Sequence, residues 1–154
     1  MLEQDIPAHV NDDQGYFDTV EIHQAMALLK LLDNGHQDVP LIGILRSEIF
    51  GFSPEELAKV RIAYKENGQR GAYYKAFEYC LNNPEALADE TLYEKLRQTE
   101  EKLEEWRYLS NKMPLDEYIW YVLTESGYYL YAGAMYGGRQ RQANLRILAE
   151  KARG

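Results

Sequence analysis

The sequence predicts an all-α protein, an irregular bundle of about seven helices behind a short extended N-terminal segment. Three observations predict it. Apolar residues recur at three- and four-residue steps through most of the chain. Helix-start and helix-stop residues bracket those runs. Alternation at period two is nearly absent. The 154 residues suit one ordinary domain, and 45% hydrophobic with 27% charged residues is the composition of a folded chain rather than a disordered one.

Residues 1–17 contain Pro7, Gly15 and the run Asn11-Asp12-Asp13-Gln14, and read as an extended piece over 6–10 followed by a turn. A lone strand leaves its backbone groups unpaired, so this piece is expected to pair within a neighbouring domain. Asp18 with Glu21 forms a capping-box-like start for the first helix. Ile22, Met26, Leu29 and Leu32 give its apolar stripe, widened by Leu28 and Leu31, and Asp33-Asn34-Gly35 ends it. The segment Leu41-Ile42-Gly43-Ile44-Leu45 after Pro40 is too short to assign between helix and strand. Ser53-Pro54-Glu55-Glu56 is a specific helix start, with Ser53 as N-cap and Glu56 at the third position, and Leu57, Val60 and Tyr64 face inward. A polar loop over 65–71 leads to a helix marked by Tyr73, Tyr74, Phe77, Cys80 and Leu81, stopped by Asn82-Asn83-Pro84.

A longer helix at about 89–110 follows, with Leu92, Leu96, Thr99, Leu103 and Trp106 stepping by four and three into one seam. Its other side carries Glu94, Lys95, Glu101, Lys102, Glu104 and Glu105, a solvated face rather than a metal site. Pro114 opens a helix with Leu115, Ile119, Val122 and Leu123 inward. Ser126-Gly127 interrupts it, 128–135 is a short helix, and Gly137-Gly138 forms a flexible loop. A helix at 139–153, with Leu145 and Leu148 inward, closes the chain.

Net charge is −8, which argues against a free-standing nucleic-acid binder. The charge is uneven. From Gly137 onward five basic residues oppose Glu150 alone, a +4 tail that leaves −12 for residues 1–136. Two faces with different partners, or cations placed near the negative end of a helix, both account for it. No stretch approaches the ~18 uncharged apolar residues of a membrane helix. The N-terminus lacks the basic and apolar regions of a signal peptide. The single cysteine, Cys80, excludes an internal disulfide and a multi-cysteine zinc site, and a cytoplasmic setting is the default.

No catalytic constellation is visible. Gly137-Gly138-Arg139-Gln140 lacks the lysine and hydroxyl that hold phosphates in a nucleotide loop. His9, His23 and His36 lie on separate elements without metal-ligand spacing. Cys80 sits on an apolar face and reads as a buried structural thiol. Adjacent carboxylates such as Glu104-Glu105 do not face each other on a helix. The tyrosines at 73, 74, 118, 121, 128, 129 and 131 fall at helical spacings and read as packing residues, not base-stacking ones.

Several blocks nevertheless resemble a known family. They are Gly15-Tyr16-Phe17, Leu28-Leu29-Lys30-Leu31-Leu32-Asp33-Asn34-Gly35-His36-Gln37-Asp38-Val39-Pro40-Leu41, and Ile44-Leu45-Arg46-Ser47-Glu48-Ile49-Phe50-Gly51-Phe52. Further on come Trp106-Arg107, Met113-Pro114-Leu115-Asp116 and Gly127-Tyr128-Tyr129. Last is Met135-Tyr136-Gly137-Gly138-Arg139-Gln140-Arg141-Gln142-Ala143-Asn144-Leu145. In this order they resemble the AddA (RexA) subunit of the bacterial ATP-dependent helicase/nuclease, a UvrD-like superfamily 1 enzyme. Gly35, Glu48 and Tyr136 each stand where that family's pattern has proline.

The resemblance implies that residues 1–17 are the end of the 2A motor subdomain and 18–154 most of the helical 2B subdomain. It implies no catalysis in this region, with ATP and magnesium used by a motor lying upstream and a nuclease lying downstream. The partners it implies are duplex DNA, the motor subdomains of the same parent chain and an AddB-like second subunit. The role it implies is in double-strand-break repair and recombination. Candidate DNA contacts are Arg46, Ser47 and the backbone at Gly51, and Arg139 with Arg141 after the Gly-Gly pair. Arg139 and Arg141 have an intrachain alternative, such as pairing with the acidic helix at 94–105, and that alternative is favoured for Arg141 and Arg146. Asn144 is expected to cap or bridge helices. Glu48 sets a carboxylate in a segment that lies near duplex DNA in UvrD-like helicases. The competing reading is a free-standing acidic helical module that docks on another protein.

Overall fold

The computed structural model describes residues 19–153; the segment at 6–10, His9, the 1–17 portion and Asp18 lie outside the described residues. Among the described residues the chain is all-α. Its helices are α1 (Val20–Asp33), α2 (Asp38–Arg46), α3 (Pro54–Glu66), α4 (Tyr73–Asn82), α5 (Pro84–Leu87), α6 (Glu90–Leu109), α7 (Leu115–Glu125), α8 (Tyr128–Ala134) and α9 (Gly138–Lys151). The count exceeds the expected one for two reasons. The ambiguous segment around 41–45 is helix α2, because Leu41, Ile44 and Leu45 at helical spacing are all buried. Pro84, expected only to stop α4, also starts α5, where its fixed φ suits a first turn, and Ala88 in the left-handed region (φ 53°) ends that turn.

The chain divides into two compact units, one of Ala27–Met113 and one of Met1–Met26 with Pro114–Gly154. In the first unit α3 packs on α4, and α4 in turn on α2 and α6. Leu28, Leu31, Ile44, Leu45, Val60, Cys80 and Leu96 are fully buried. The four-three seam of α6 is buried as expected, at Leu92, Leu96, Thr99, Leu103 and Trp106. The Ser53 capping box forms in full: Glu56 N–H donates to Ser53 Oγ (3.1 Å) and Ser53 N–H to Glu56 Oε1 (2.9 Å).

Side chains tie the joints between helices. Gln37 Nε2 donates to the Lys30 and Asn34 carbonyls at the end of α1 (3.1 and 2.9 Å). Asp38 receives the backbone N–H groups of Tyr73 (2.8 Å) and Tyr74 (3.0 Å), so a carboxylate from α2 caps the start of α4. Arg107 Nη2 reaches from α6 to the Leu31 carbonyl (3.0 Å). A Cβ at residue 35 would lie 2.6 Å from that nitrogen, so glycine at this position leaves room for the guanidinium.

In the second unit α7, α8 and α9 pack mutually around Val122, Leu123, Ala132 and Leu145. Two expected inward residues face solvent: Met26, because Ala25 takes the buried position on that turn, and Leu115, 59% exposed in the first turn of α7. The Gly-Gly pair is not a flexible loop. Gly137 adopts φ 71° as the residue before α9. Gly138 is already helical and buried, and a Cβ there would lie 1.9 Å from the Gly133 carbonyl oxygen. The pair therefore sets a close crossing of α8 and α9.

Candidate nucleic-acid interface

The first candidate cluster lies in the turn between α2 and α3. Ile44, Leu45 and Phe52 are buried, which fixes both ends of the turn against the core. Within it Ser47 is only 5% exposed. Its hydroxyl donates to the Ile44 carbonyl (2.6 Å) and accepts from Ile49 N–H (3.2 Å). Gly51 (φ 65°) takes a conformation glycine adopts freely; its N–H donates to the Ser47 carbonyl (2.7 Å), and Phe52 N–H reaches the Leu45 carbonyl (2.8 Å).

From α6, Lys95 Nζ donates to the Gly51 carbonyl (2.9 Å) and to Glu56 Oε1 (2.8 Å), and lies 4.7 Å from the centre of the Phe52 ring. The Lys95 ammonium, helped by the Ser53 N–H, holds the Glu56 carboxyl below the ordinary value of 4.5. Phe50 stacks on Trp106 with ring centres 6.0 Å apart. The turn is thus fastened on several sides. Ser47 and the backbone of Gly51, both candidate DNA contacts, are engaged in that fastening, while Arg46 is exposed and has no ionic or hydrogen-bond partner among the described residues.

The second cluster is the start of α9. Arg139 is exposed and likewise without a partner among the described residues. Arg141 turns inward. Its Nη1 donates to Glu21 Oε1 (2.6 Å) and its Nε to the Tyr136 carbonyl (2.8 Å). The alternative intrachain partner, the acidic helix at 94–105, is therefore corrected to Glu21 of α1. Asn144 Nδ2 donates to Glu21 Oε2 (2.8 Å) and its Oδ1 accepts from Gln140 (2.9 Å), the helix-bridging role expected of it. Arg146 bonds the Tyr129 hydroxyl and lies over the same ring.

Glu21 is fully buried. Desolvation pushes its carboxyl up, but hydrogen bonds from Asn144, Thr19 and Arg141 outweigh that, so it stays ionised below the ordinary 4.5. The local sequence offers Glu21 only as a capping partner. Its spacing from Ala25 and Leu28 on the buried stripe is the signal that a second role exists. Lys95 falls on the face expected to be solvated; nothing local to its sequence reveals its anchor.

No group of three or more His, Cys, Asp and Glu is arranged to hold a metal ion among the described residues. His36 stacks on Tyr74 (4.4 Å) and contacts Glu78 (3.1 Å). Cys80 is buried, and burial pushes its thiol up, as a structural thiol requires. Tyr73, Tyr118 and Tyr128 are buried as packing residues. No described helix is long and apolar enough to cross a membrane.

No protein-family model matches the chain. Similarity to segments of individual proteins extends over nearly all of this chain. The chain is 44% identical over 154 residues to the AddA subunit of the ATP-dependent helicase/nuclease of Clostridium novyi (strain NT). It is 41% identical over 160 residues to its counterpart in Clostridioides difficile (strain 630) and 42% identical over 153 residues to that in Bacillus velezensis. Each match takes in 99% of this chain, and the chain spans 12% of the length of these curated relatives. At that identity and coverage the chain is homologous, over nearly all of its length, to one segment of the AddA family of ATP-dependent helicase/nuclease subunits.

Proposed function

We propose that this chain is a non-catalytic helical region of an AddA-like helicase/nuclease subunit. Its role is in double-strand-break repair and recombination, where it contacts duplex DNA and orients the motor. The match over 99% of the chain to proteins named as helicase/nuclease subunits carries the reading. The geometry supports it: in each compact unit one motif arginine, Arg46 or Arg139, is left facing solvent while its neighbours are fastened inside. A cation held on rigid backbone meets a phosphate at low ordering cost. On this reading ATP and magnesium serve the motor subdomains of the parent chain. Those subdomains and an AddB-like second subunit are the protein partners, and the compartment is the cytoplasm.

The test is duplex binding by the 154-residue chain, measured by fluorescence anisotropy across a salt series. Binding that weakens with salt, with a log–log slope reduced by about 1 on Arg46→Ala and again on Arg139→Ala, is expected. Affinity unaffected by either change, or ATP hydrolysis or DNA cleavage by the chain alone, contradicts the reading. The net charge of −8 favours one competitor, an acidic module that docks on a protein. It predicts no salt-dependent duplex binding.

A further inference from the structure

Resting on the duplex reading above, we infer that Glu48 is an electrostatic brake on the contact made by Arg46. Arg46 ends α2, Ser47 is pinned inward, and Glu48 emerges beyond it; Arg46 and Glu48 are both exposed. Consecutive Cα atoms are about 3.8 Å apart, so residues two apart are within about 7 Å. The two backbones therefore lie within one Debye length of each other, about 8 Å at physiological salt, so a carboxylate and a cation that share this turn act on the same bound anion.

The two side chains form no ion pair with each other, and neither has another partner among the described residues. The turn between them is held by the Ser47 hydroxyl, by the Gly51 N–H on Ser47 and by Lys95 on Gly51, which resists the backbone change that would swing Glu48 away. A phosphate drawn to Arg46 meets a negative charge carried on the same fastened turn. The consequence is a weak, salt-sensitive contact.

The effect can be sized. Two unit charges at the backbone spacing of about 7 Å interact in unscreened water by an amount worth about threefold in affinity, which is the upper limit of the effect. Removing the charge with Glu48→Gln should tighten binding of a labelled duplex of about 20 base pairs by up to about threefold at about 50 mM salt, and Glu48→Lys by up to about tenfold. Both gains should shrink at about 300 mM salt and in an Arg46→Ala background, where DNA is no longer held beside residue 48.

Glu48 makes no contact that the fold requires, so thermal midpoints should match the parent chain and show that each variant is folded. Unchanged affinity in Glu48→Gln and Glu48→Lys, while Arg46→Ala still weakens binding, overturns the brake and leaves the duplex reading standing. A gain of equal size with Arg46 already removed also overturns it, since the effect is then one of net charge. Indifference to Arg46→Ala and Arg139→Ala together removes the duplex reading itself.

Discussion

Replacing Arg141 by methionine separates two roles for a residue whose sequence context suggested DNA. Methionine keeps much of the apolar stem and deletes the guanidinium. Glu21 is fully buried and has Arg141 at 2.6 Å and Asn144 at 2.8 Å as its close partners. Without Arg141 a buried carboxylate is left leaning on neutral donors. Breaking a buried ion pair from one side costs about 3–5 kcal/mol, and because the Arg141 side chain keeps 26% of its surface exposed the lower figure, about 3 kcal/mol, applies. In a chain of this length that lowers the thermal midpoint by about 6–12 °C.

The pH dependence gives a second check on the same variant. The folded Glu21 carboxyl lies below its unfolded value of 4.5, so its contribution is complete above 4.5 and is lost as pH falls through the folded value. The deficit of Arg141→Met should therefore be full at about pH 7 and fade as pH falls through the folded Glu21 value, below which the carboxyl is protonated in both chains. Urea unfolding followed by circular dichroism across a pH series reads it. In the double variant with Glu21→Gln the losses should fall short of additivity by at least about 1 kcal/mol. A parent-like midpoint for Arg141→Met, combined with a salt slope for duplex binding reduced by one charge, would refute the internal role.

Other changes follow from the same geometry. Gly138→Ala drives a methyl against the Gly133 carbonyl and should cost about 3 kcal/mol or more in chemical denaturation, whereas Gly43→Ala, on α2 with open space beside it, should stabilise by about 0.5–1 kcal/mol. Asp38→Ala uncaps α4 and should cost about 1–2 kcal/mol, with faster amide exchange at Tyr73 and Tyr74 as the local signature. Cys80, buried and with its thiol pushed up, should react with an aromatic disulfide reagent at the rate of unfolding, so modification that is fast and independent of urea would contradict its placement.

What was legible in the sequence was what local chemistry decides. The Ser53 box needs only a hydroxyl, a proline and a carboxylate in four residues, and the α6 seam only a period. What was not legible depends on partners far along the chain. Glu21 meets Arg141 across 120 positions, and Arg107 meets Leu31 across 76. No periodicity encodes which carboxylate a given arginine will find. The outward positions of Met26 and Leu115 have a related cause: an apolar stripe says that a face is buried, but the neighbouring helix decides where that face begins and ends.

Several polar residues among those that carry the family resemblance are fasteners. Gln37, Asp38, Ser47, Arg107, Arg141 and Asn144 each close a helix end, a turn or a helix–helix joint. Such a pattern preserves a shape, and a shape can be kept while the contact chemistry on it varies. A chain of net charge −8 does not attract DNA by its overall field, so any duplex contact has to be local. The fasteners leave Arg46, Glu48 and Arg139 outside the bonding network. On the proposed duplex reading, single substitutions at those three positions should alter duplex binding more than they alter stability.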